Sequence, residues 1–353
     1  MTRSELIAKR EQKRKRQKQK RLMFWGVGSI IIIALVLIIW LIVKPMRATK
    51  ADDIDSSSES AETEESTNTD TATVTEITSE GGSVGWNVDD TGWWYMTSDG
   101  QKVTSGWKTI EDNVYYFDEN GYILTGWNYV EGDNYVCFSE SGVYQPDAQV
   151  KYVALTFDDG PSWDTDSILD TLEAYHAKAT FFVVGNMAET DDTCRNALKR
   201  EYSDGMAIGS HTWDHTTLLG ASAETIQNVM QKNDDYLQSM IGYTPELMRP
   251  TGGGIDDTVR STVTKPMILW DVDTLDWSTK DPQQTYNAVV SDVQDGSIVL
   301  MHDIYIQTAE AVKLIVPWLS QNGYKMVTVA ELAALRGVTL EAGQIYSHFY
   351  PSN

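Results

Sequence analysis

Two adjacent carboxylates, Asp158 and Asp159, close the run Leu155-Thr156-Phe157-Asp158-Asp159-Gly160-Pro161. Like charges side by side are costly unless a cation or a proton is shared between them. The pair therefore reads either as a solvated Asp-Asp-Gly turn or as part of a cation site. Further donors for a cation stand in Ser210-His211-Thr212-Trp213-Asp214-His215. Histidines at i and i+4 fall on one face of a helix and chelate a single ion. Asp159, His211 and His215 together offer two imidazoles and one carboxylate and leave coordination positions open, the layout of a catalytic metal site and not of a closed structural one. Zinc is the default ion for that donor set, and cobalt, nickel or iron(II) would also accept it.

Three further segments carry reactive groups. Arg249-Pro250-Thr251-Gly252-Gly253-Gly254 sets a fixed cation beside a glycine-rich bend whose bare N–H groups can face a substrate oxygen. Trp270-Asp271-Val272-Asp273-Thr274-Leu275-Asp276-Trp277 joins carboxylates to a large apolar wall, and Leu300-Met301-His302-Asp303 ends on a histidine able to donate a proton. Each has a plain structural reading as well: a turn with an ion pair, a strand end with a core tryptophan, a core histidine.

The elements that must position these groups follow from the apolar pattern after Gln149. Short apolar runs at 152–155, 179–184, 206–208, 267–270, 298–301 and 325–329 predict buried strands. Between them lie helical patterns such as Ile168, Leu169, Leu172 and Tyr175, or Ala309, Val312, Val316 and Leu319. Alternating β and α predicts an α/β layer fold, either a distorted barrel or an open parallel sheet, and in both the carboxyl ends of the strands are where sites are built.

Charge divides the chain. Ten of its 28 Lys and Arg residues precede Leu22, against two of its 51 acids, so the remainder carries a net charge of −31. A body that acidic repels DNA and RNA. The basic head at 1–21 is followed by 22 uncharged residues, Leu22 to Val43. At 1.5 Å per residue these span roughly 33 Å, enough for a hydrocarbon core of about 30 Å. The excess of bases before this span predicts a single-pass anchor with its N-terminus in the cytoplasm and everything after it extracellular. Residues 44–83, rich in Ser, Thr, Asp and Glu, predict a disordered stalk. Cys137 and Cys194 are too few to build the fold, and either a disulfide or two free thiols is compatible with the sequence.

Residues 84–145 contain an internal repeat. Gly85-Trp86, Gly106-Trp107 and Gly126-Trp127 recur at intervals of 21 and 20, and the turn pairs Asp99-Gly100, Asn120-Gly121 and Ser141-Gly142 recur at 21. Aromatic clusters precede each turn, so every unit predicts a short hairpin. These units resemble the cell-wall-binding repeats of Gram-positive surface proteins, of the choline- or glucan-binding type. The resemblance implies that Trp86, Trp94, Trp107, Tyr115 and Trp127 form cages or platforms for choline, teichoic acid or glucan, since an exposed π face suits both a quaternary ammonium and a sugar ring. The same aromatics are also needed to hold so small a stack together, and in the third unit Val136 and Cys137 stand where Tyr115 and Tyr116 stand in the second.

The five reactive segments, in this order, resemble the polysaccharide deacetylase family, the NodB-homology domain or carbohydrate esterase family 4, over residues 149–337. Ala177-Lys178-Ala179-Thr180-Phe181-Phe182-Val183 and His302-Asp303-Ile304-Tyr305 match its connecting text as well. The resemblance implies a distorted, incomplete (β/α) barrel, with residues 338–353 left as a C-terminal tail. It implies Asp159, His211 and His215 as metal ligands, Asp158 as general base held by Arg249, and His302 as general acid oriented by Asp273. Trp277 and Leu300 would wall the acetyl pocket, and the backbone N–H of Gly252, where the family often has Tyr, would hold the oxyanion. The implied activity is metal-dependent N-deacetylation of cell-wall polysaccharide, with N-acetylglucosamine of peptidoglycan as the expected substrate. Chitooligosaccharide deacetylation and O-acetyl xylan hydrolysis are the alternatives, and a non-catalytic wall-binding protein is the alternative of another class.

Overall fold

The computed structural model of the chain describes residues 82–352. Among them no helix is long and apolar enough to cross a membrane. The expected basic tail, the span at 22–43 and all but the last two residues of the stalk lie outside the described residues.

The repeats form three antiparallel hairpins: β1 (Gly85–Val88) with β2 (Trp93–Met96), β3 (Gly106–Ile110) with β4 (Asn113–Phe117), and β5 (Gly126–Val130) with β6 (Asn134–Phe138). The second is closed by Glu111 and Asp112, both at positive φ (50° and 67°), the backbone of a two-residue turn whose twist matches its strands. The expected Asp-Gly, Asn-Gly and Ser-Gly turns are present, but they join each hairpin to a single following bridge (Met96 to Lys102, Phe117 to Ile123, Phe138 to Tyr144) and do not close the hairpins themselves.

The first two Gly-Trp tryptophans each pack on the next unit. The Trp86 ring lies 4.8 Å from Tyr115, and Trp107 lies 5.7 Å from Phe138 and 5.0 Å from Tyr144. Trp127 has no fourth hairpin to rest on among the described residues. It stacks on Tyr135 of its own unit and packs against Gly323, where an added Cβ would come within 2.8 Å of the indole. Tyr135 donates its hydroxyl to Ser320 O, Lys325 donates to Asp133 O at 3.0 Å, and the Tyr129 ring faces His176 at 5.2 Å. The third repeat is thus seated on the domain that follows. Cys137 pairs across the hairpin with Trp127 and Cys194 is buried, both as free thiols.

That domain runs β7 (Lys151–Asp158), α1 (Thr165–Ala174), β8 (Ala179–Val183), α2 (Gly185–Glu189), α3 (Asp192–Ser203), β9 (Ala207–Ser210), α4 (Ala223–Ile241), α5 (Asp257–Thr262), β10 (Met267–Ile268) and β11 (Val272–Asp273). It continues with α6 (Asp276–Thr279), α7 (Pro282–Asp292), β12 (Ser297–His302), α8 (Ile306–Gln321), β13 (Tyr324–Met326), α9 (Val329–Leu335) and β14 (Ile345–Tyr346). A parallel sheet has the order β11-β12-β7-β8-β9, with β13 also beside β7. Single bridges from Ser210 to Met248 and from Met248 to Met267 carry the sheet round to β10 and its parallel partner β14. The result is a barrel whose wall is reduced at Met248 to one residue.

Strand alternation fixes what faces where. Val153, Leu155 and Phe157 of β7 join Ala179, Phe181 and Val183 of β8 and Val299 and Met301 of β12 in the main core, packed with Ile168, Leu169, Val312, Ile315 and Val316 of the helices. The residues between them, Thr156 and Asp158 on β7, Phe182 on β8 and Leu300 and His302 on β12, therefore face the barrel interior. Residues 338–352 are not the expected tail. β14 belongs to the barrel wall, and Phe349 is buried, its N–H bonded to Gly296 O at 2.7 Å. Two paired residues and one aromatic make too short a pattern to announce a strand.

Candidate active site

Every reactive segment delivers its side chain at a carboxyl end. β7 ends at Asp158, β9 is followed by His211, Arg249 follows the bridging Met248, α6 follows β11, and His302 closes β12.

Arg249 is fully buried and shapes the floor. Its Nη1 donates to Asp158 Oδ1 at 2.7 Å and to Thr156 Oγ1 at 2.8 Å, its Nε to Ile268 O at 2.9 Å and its Nη2 to Leu269 O at 3.0 Å. The guanidinium lies over Phe182, 4.3 Å from the ring centre. A charge removed from water this thoroughly is tolerable only when paired and hydrogen-bonded, and here Asp158 pairs it and four of its five N–H groups find acceptors. Thr156, two residues before Asp158 and so on the same face of the strand, is a partner that the period-2 pattern makes findable.

Asp159 Oδ1 is buried with no hydrogen-bond partner among the described residues. It lies 3.5 Å from His211 Nε2 and 3.2 Å from His215 Nε2, and the three donor atoms fall within 4.8 Å of one another. His211 Nδ1 donates to Arg249 O at 2.7 Å. A carbonyl only accepts, so the proton sits on Nδ1 and the Nε2 lone pair faces Asp159, as a metal-ligating imidazole requires. Burial holds His211 below the ordinary imidazole value, against the pull of Asp158 and Asp159, and keeps it neutral. An orphaned carboxylate oxygen beside two imidazole nitrogens fits a divalent cation.

The two histidines do not lie on a helix. They occupy the loop after β9, and α4 begins only at Ala223. Thr212 and His215 are at positive φ (68° and 60°), which breaks a helix but turns both rings toward Asp159, itself at 76°. The loop is pinned by Gly185 N–H to Thr212 O and Asn186 N–H to Trp213 O. Non-glycine residues in this conformation cost on the order of 1–3 kcal/mol each and gather at functional sites.

His302 is not oriented by Asp273. Its Nδ1 donates to Asp276 Oδ1 at 2.8 Å, while Asp276 Oδ2 accepts from the His302 N–H at 2.8 Å and from Thr308 at 2.6 Å. Asp273 accepts the Leu275 N–H at 2.9 Å and so caps the turn. Leu275 at φ 53° reverses the chain and swings Asp276 under the histidine. Three aspartates stood in this segment, and only that reversal decides between them. Burial pulls the His302 imidazolium down, but the hydrogen bond and charge of Asp276, then the charges of Asp158 and Asp159, outweigh it and lift the group to about 9. His302 therefore keeps its proton at neutral pH. In Asp276→Asn the alkaline limb of the pH–rate profile should fall by about one unit or more, a direction set because an acid must be protonated to act and its raised pKa places the loss above neutrality. A bound cation lowers both limbs alike, so the displacement between the proteins is the readout. Coincident limbs would remove Asp276 from this role.

Asp303 is buried behind the turn that carries the two aspartates. Its carboxyl lies over Gly160, where a Cβ would come within 2.0 Å of it, and it accepts from Thr165. Burial pushes it up to about 7. Gly252 is at φ 62°, and Gly253 and Gly254 spend their N–H groups on Pro250 O and Thr251 O. The Gly252 N–H has no acceptor among the described residues. Leu300 is buried on the inner face of β12, and Trp277 is half-exposed at the start of α6.

In the repeats, a cavity of about 450 Å³ is lined by Trp86, Trp93, Tyr115, Ile123, Glu140 and Ser141. Of the five aromatics expected to act together it contains Trp86 and Tyr115. Trp93 stands there in place of Trp94, because alternation along β2 sends neighbours to opposite faces. Trp107 and Trp127 are spent on the stack and on Gly323.

The sequence pattern of the polysaccharide deacetylase family matches residues 145–266, and that of the cell wall binding repeat matches residues 105–123. A peptidoglycan-N-acetylglucosamine deacetylase of Listeria monocytogenes is 38% identical over 197 residues, which are 56% of this chain and 41% of that protein, so the chain spans less than half of that relative. A peptidoglycan-N-acetylglucosamine deacetylase of Bacillus cereus is 34% identical over 191 residues, covering 52% of this chain and 88% of its own length. Among solved structures, a family 4 acetyl xylan esterase from Clostridium thermocellum in complex with a cobalt ion superposes with a TM-score of 0.53 at 32% identity, over 56% of this chain and 98% of that one.

Proposed function

The chain belongs to the polysaccharide deacetylase family, and from that premise we propose that it removes N-acetyl groups from a cell-wall glycan, with N-acetylglucosamine of peptidoglycan as substrate. One observation carries the reading. Asp158, held by Arg249, stands beside the donor set Asp159, His211 and His215, and His302 carries a proton into the same site.

A divalent cation held by Asp159, His211 and His215, for which zinc is the first candidate, would supply Lewis acidity toward the acetyl carbonyl and toward the attacking water. Asp158 accepts that water's proton through Oδ2, since Oδ1 is engaged by Arg249. The free N–H of Gly252 is offered to the developing oxyanion, a donor worth about 3 kcal/mol when well placed. His302 Nε2–H protonates the departing amine, and the charge it sheds is the one Asp276 had stabilised. Leu300 and Trp277 present apolar surface to the acetyl methyl.

In this proposal the span at 22–43 anchors the protein in the cell membrane with both folded parts outside, and the cavity at Trp86, Trp93 and Tyr115 holds a wall component such as choline, teichoic acid or glucan. The third repeat contacts the barrel through the end of α8 and the start of β13, at the amino ends of the strands. The repeats and the reacting centre thus occupy opposite ends of a strand of eight residues, roughly 26 Å long.

Acetate release from peptidoglycan, chitooligosaccharide and acetylated xylan tests the substrate. Release from peptidoglycan, abolished by a chelator and restored by zinc or cobalt, is expected. Release from xylan alone would make the protein an O-acetyl esterase, and a metal-loaded protein that binds walls without releasing acetate would overturn the catalytic reading.

A further inference from the structure

The short helix α6 is bracketed by two non-glycine residues in the left-handed region, Leu275 (φ 53°) and Lys280 (φ 48°). The first places Asp276 under His302. The second ends the helix at a position where glycine would be the unstrained choice, its N–H bonded to Asp276 O at 3.0 Å. Lys280 carries a cation at that strained position. Its ammonium lies 4.8 Å from the centre of the Tyr305 ring and has no acidic partner among the described residues. Tyr305 in turn lies beside the general acid, its ring 6.1 Å from that of His302. Tyr305 thus has the lysine on its ring and the general acid beside it.

The surroundings make this cation unusual. Residues 82–352 carry 15 bases against 39 acids, a net charge of −24, and the positive groups of the site are already engaged, Arg249 with Asp158, His302 with Asp276, and any cation of the donor set with Asp159. An anionic substrate approaching such a surface is repelled unless a local positive charge receives it.

We propose that Lys280, steadied over Tyr305, receives a carboxylate carried by the substrate near the reacting acetamide, and so selects an acidic acetylated glycan over a neutral one. This rests on the deacetylase reading above and narrows its substrate class. Glycan strands bearing lactyl or peptide carboxylates qualify, and unsubstituted chains of N-acetylglucosamine do not. The step is recognition only: a salt link at the rim, made before the amide is broken.

The test compares the zinc-loaded wild type with Lys280→Gln and Lys280→Arg. The substrates are carboxylate-bearing peptidoglycan fragments, the same fragments with their carboxyls amidated, and chitotetraose. The ratio of kcat/KM for the acidic fragment to that for chitotetraose should fall roughly fivefold in Lys280→Gln, the range of an exposed ion pair, mostly through KM. Lys280→Arg should restore it. The wild-type preference should fade with added salt and on amidation, and the Gln variant should be insensitive to both. A ratio unchanged in Lys280→Gln, even with both rates lowered together, overturns the inference and leaves the deacetylase reading standing. Acetate release from none of the three substrates by the wild type overturns both.

Discussion

Asp158→Asn should lower kcat by about 10²–10⁴, the range of a positioned general base, while the protein keeps its full complement of metal. The geometry makes this a sharp expectation, because distance alone does not separate the two aspartates. His211 Nε2 lies 3.7 Å from Asp158 Oδ2 and 3.5 Å from Asp159 Oδ1. What separates them is the rest of their bonding. Asp158 spends Oδ1 on Arg249, whereas Asp159 Oδ1 has no hydrogen bond and also lies 3.2 Å from His215. An Asn at 158 keeps an amide oxygen for Arg249 Nη1, so the floor should hold. It loses the basicity needed to accept a proton. Metal analysis of the purified variant, beside acetate release and a thermal melt, distinguishes the outcomes. Loss of metal together with activity would make Asp158 a ligand, and undiminished turnover would remove it as the base.

The elements of the barrel were legible because buried parallel strands write continuous apolar runs, and the runs at 152–155, 179–184 and 298–301 fall on β7, β8 and β12. The wall at Met248 and the closing strand β14 were not legible. One bridging residue and a two-residue pair leave no period to count, and their place is set by partners far away in the chain. Within the site, residue types and order identified the donor set, but local backbone decided the details. Spacing of four suggested a helix for His211 and His215, where left-handed Thr212 and His215 make a loop do the same work. Asp276 in place of Asp273 under His302 depends on the reversal at Leu275, which a leucine does not advertise. In the repeats the tryptophan spacing gave the units, yet which aromatics line the cavity depends on strand alternation and on what each unit rests against. Trp127 looks like its two predecessors in sequence and differs only in having the Gly323 turn as its neighbour.

Arg249→Met should destabilise the protein by about 3–5 kcal/mol, the cost of leaving a buried charge without its partner, and should abolish turnover as well. Methionine replaces much of the volume against Phe182 and Trp270, so the loss is not mainly one of packing. What disappears is the donor to Asp158 and Thr156 and the donors to Ile268 O and Leu269 O. The two carbonyls belong to the last residue of β10 and the residue after it, and Met248, the residue before Arg249, is the one-residue wall of the barrel. The guanidinium therefore joins β7 to the end of β10 across a barrel that few backbone bonds close on this side. Asp158, left buried without its cation, relieves its charge by taking up a proton, and a protonated carboxyl cannot act as the base. The double variant Asp158→Asn/Arg249→Met separates the two effects. With no charge left to strand, it should recover a large part of the stability lost in Arg249→Met and none of the activity. Urea unfolding of the four proteins, each freed of metal, gives the coupling directly. An Arg249→Met protein within about 1 kcal/mol of the wild type would mean that solvent reaches the pair, since only exposed ion pairs are that weak.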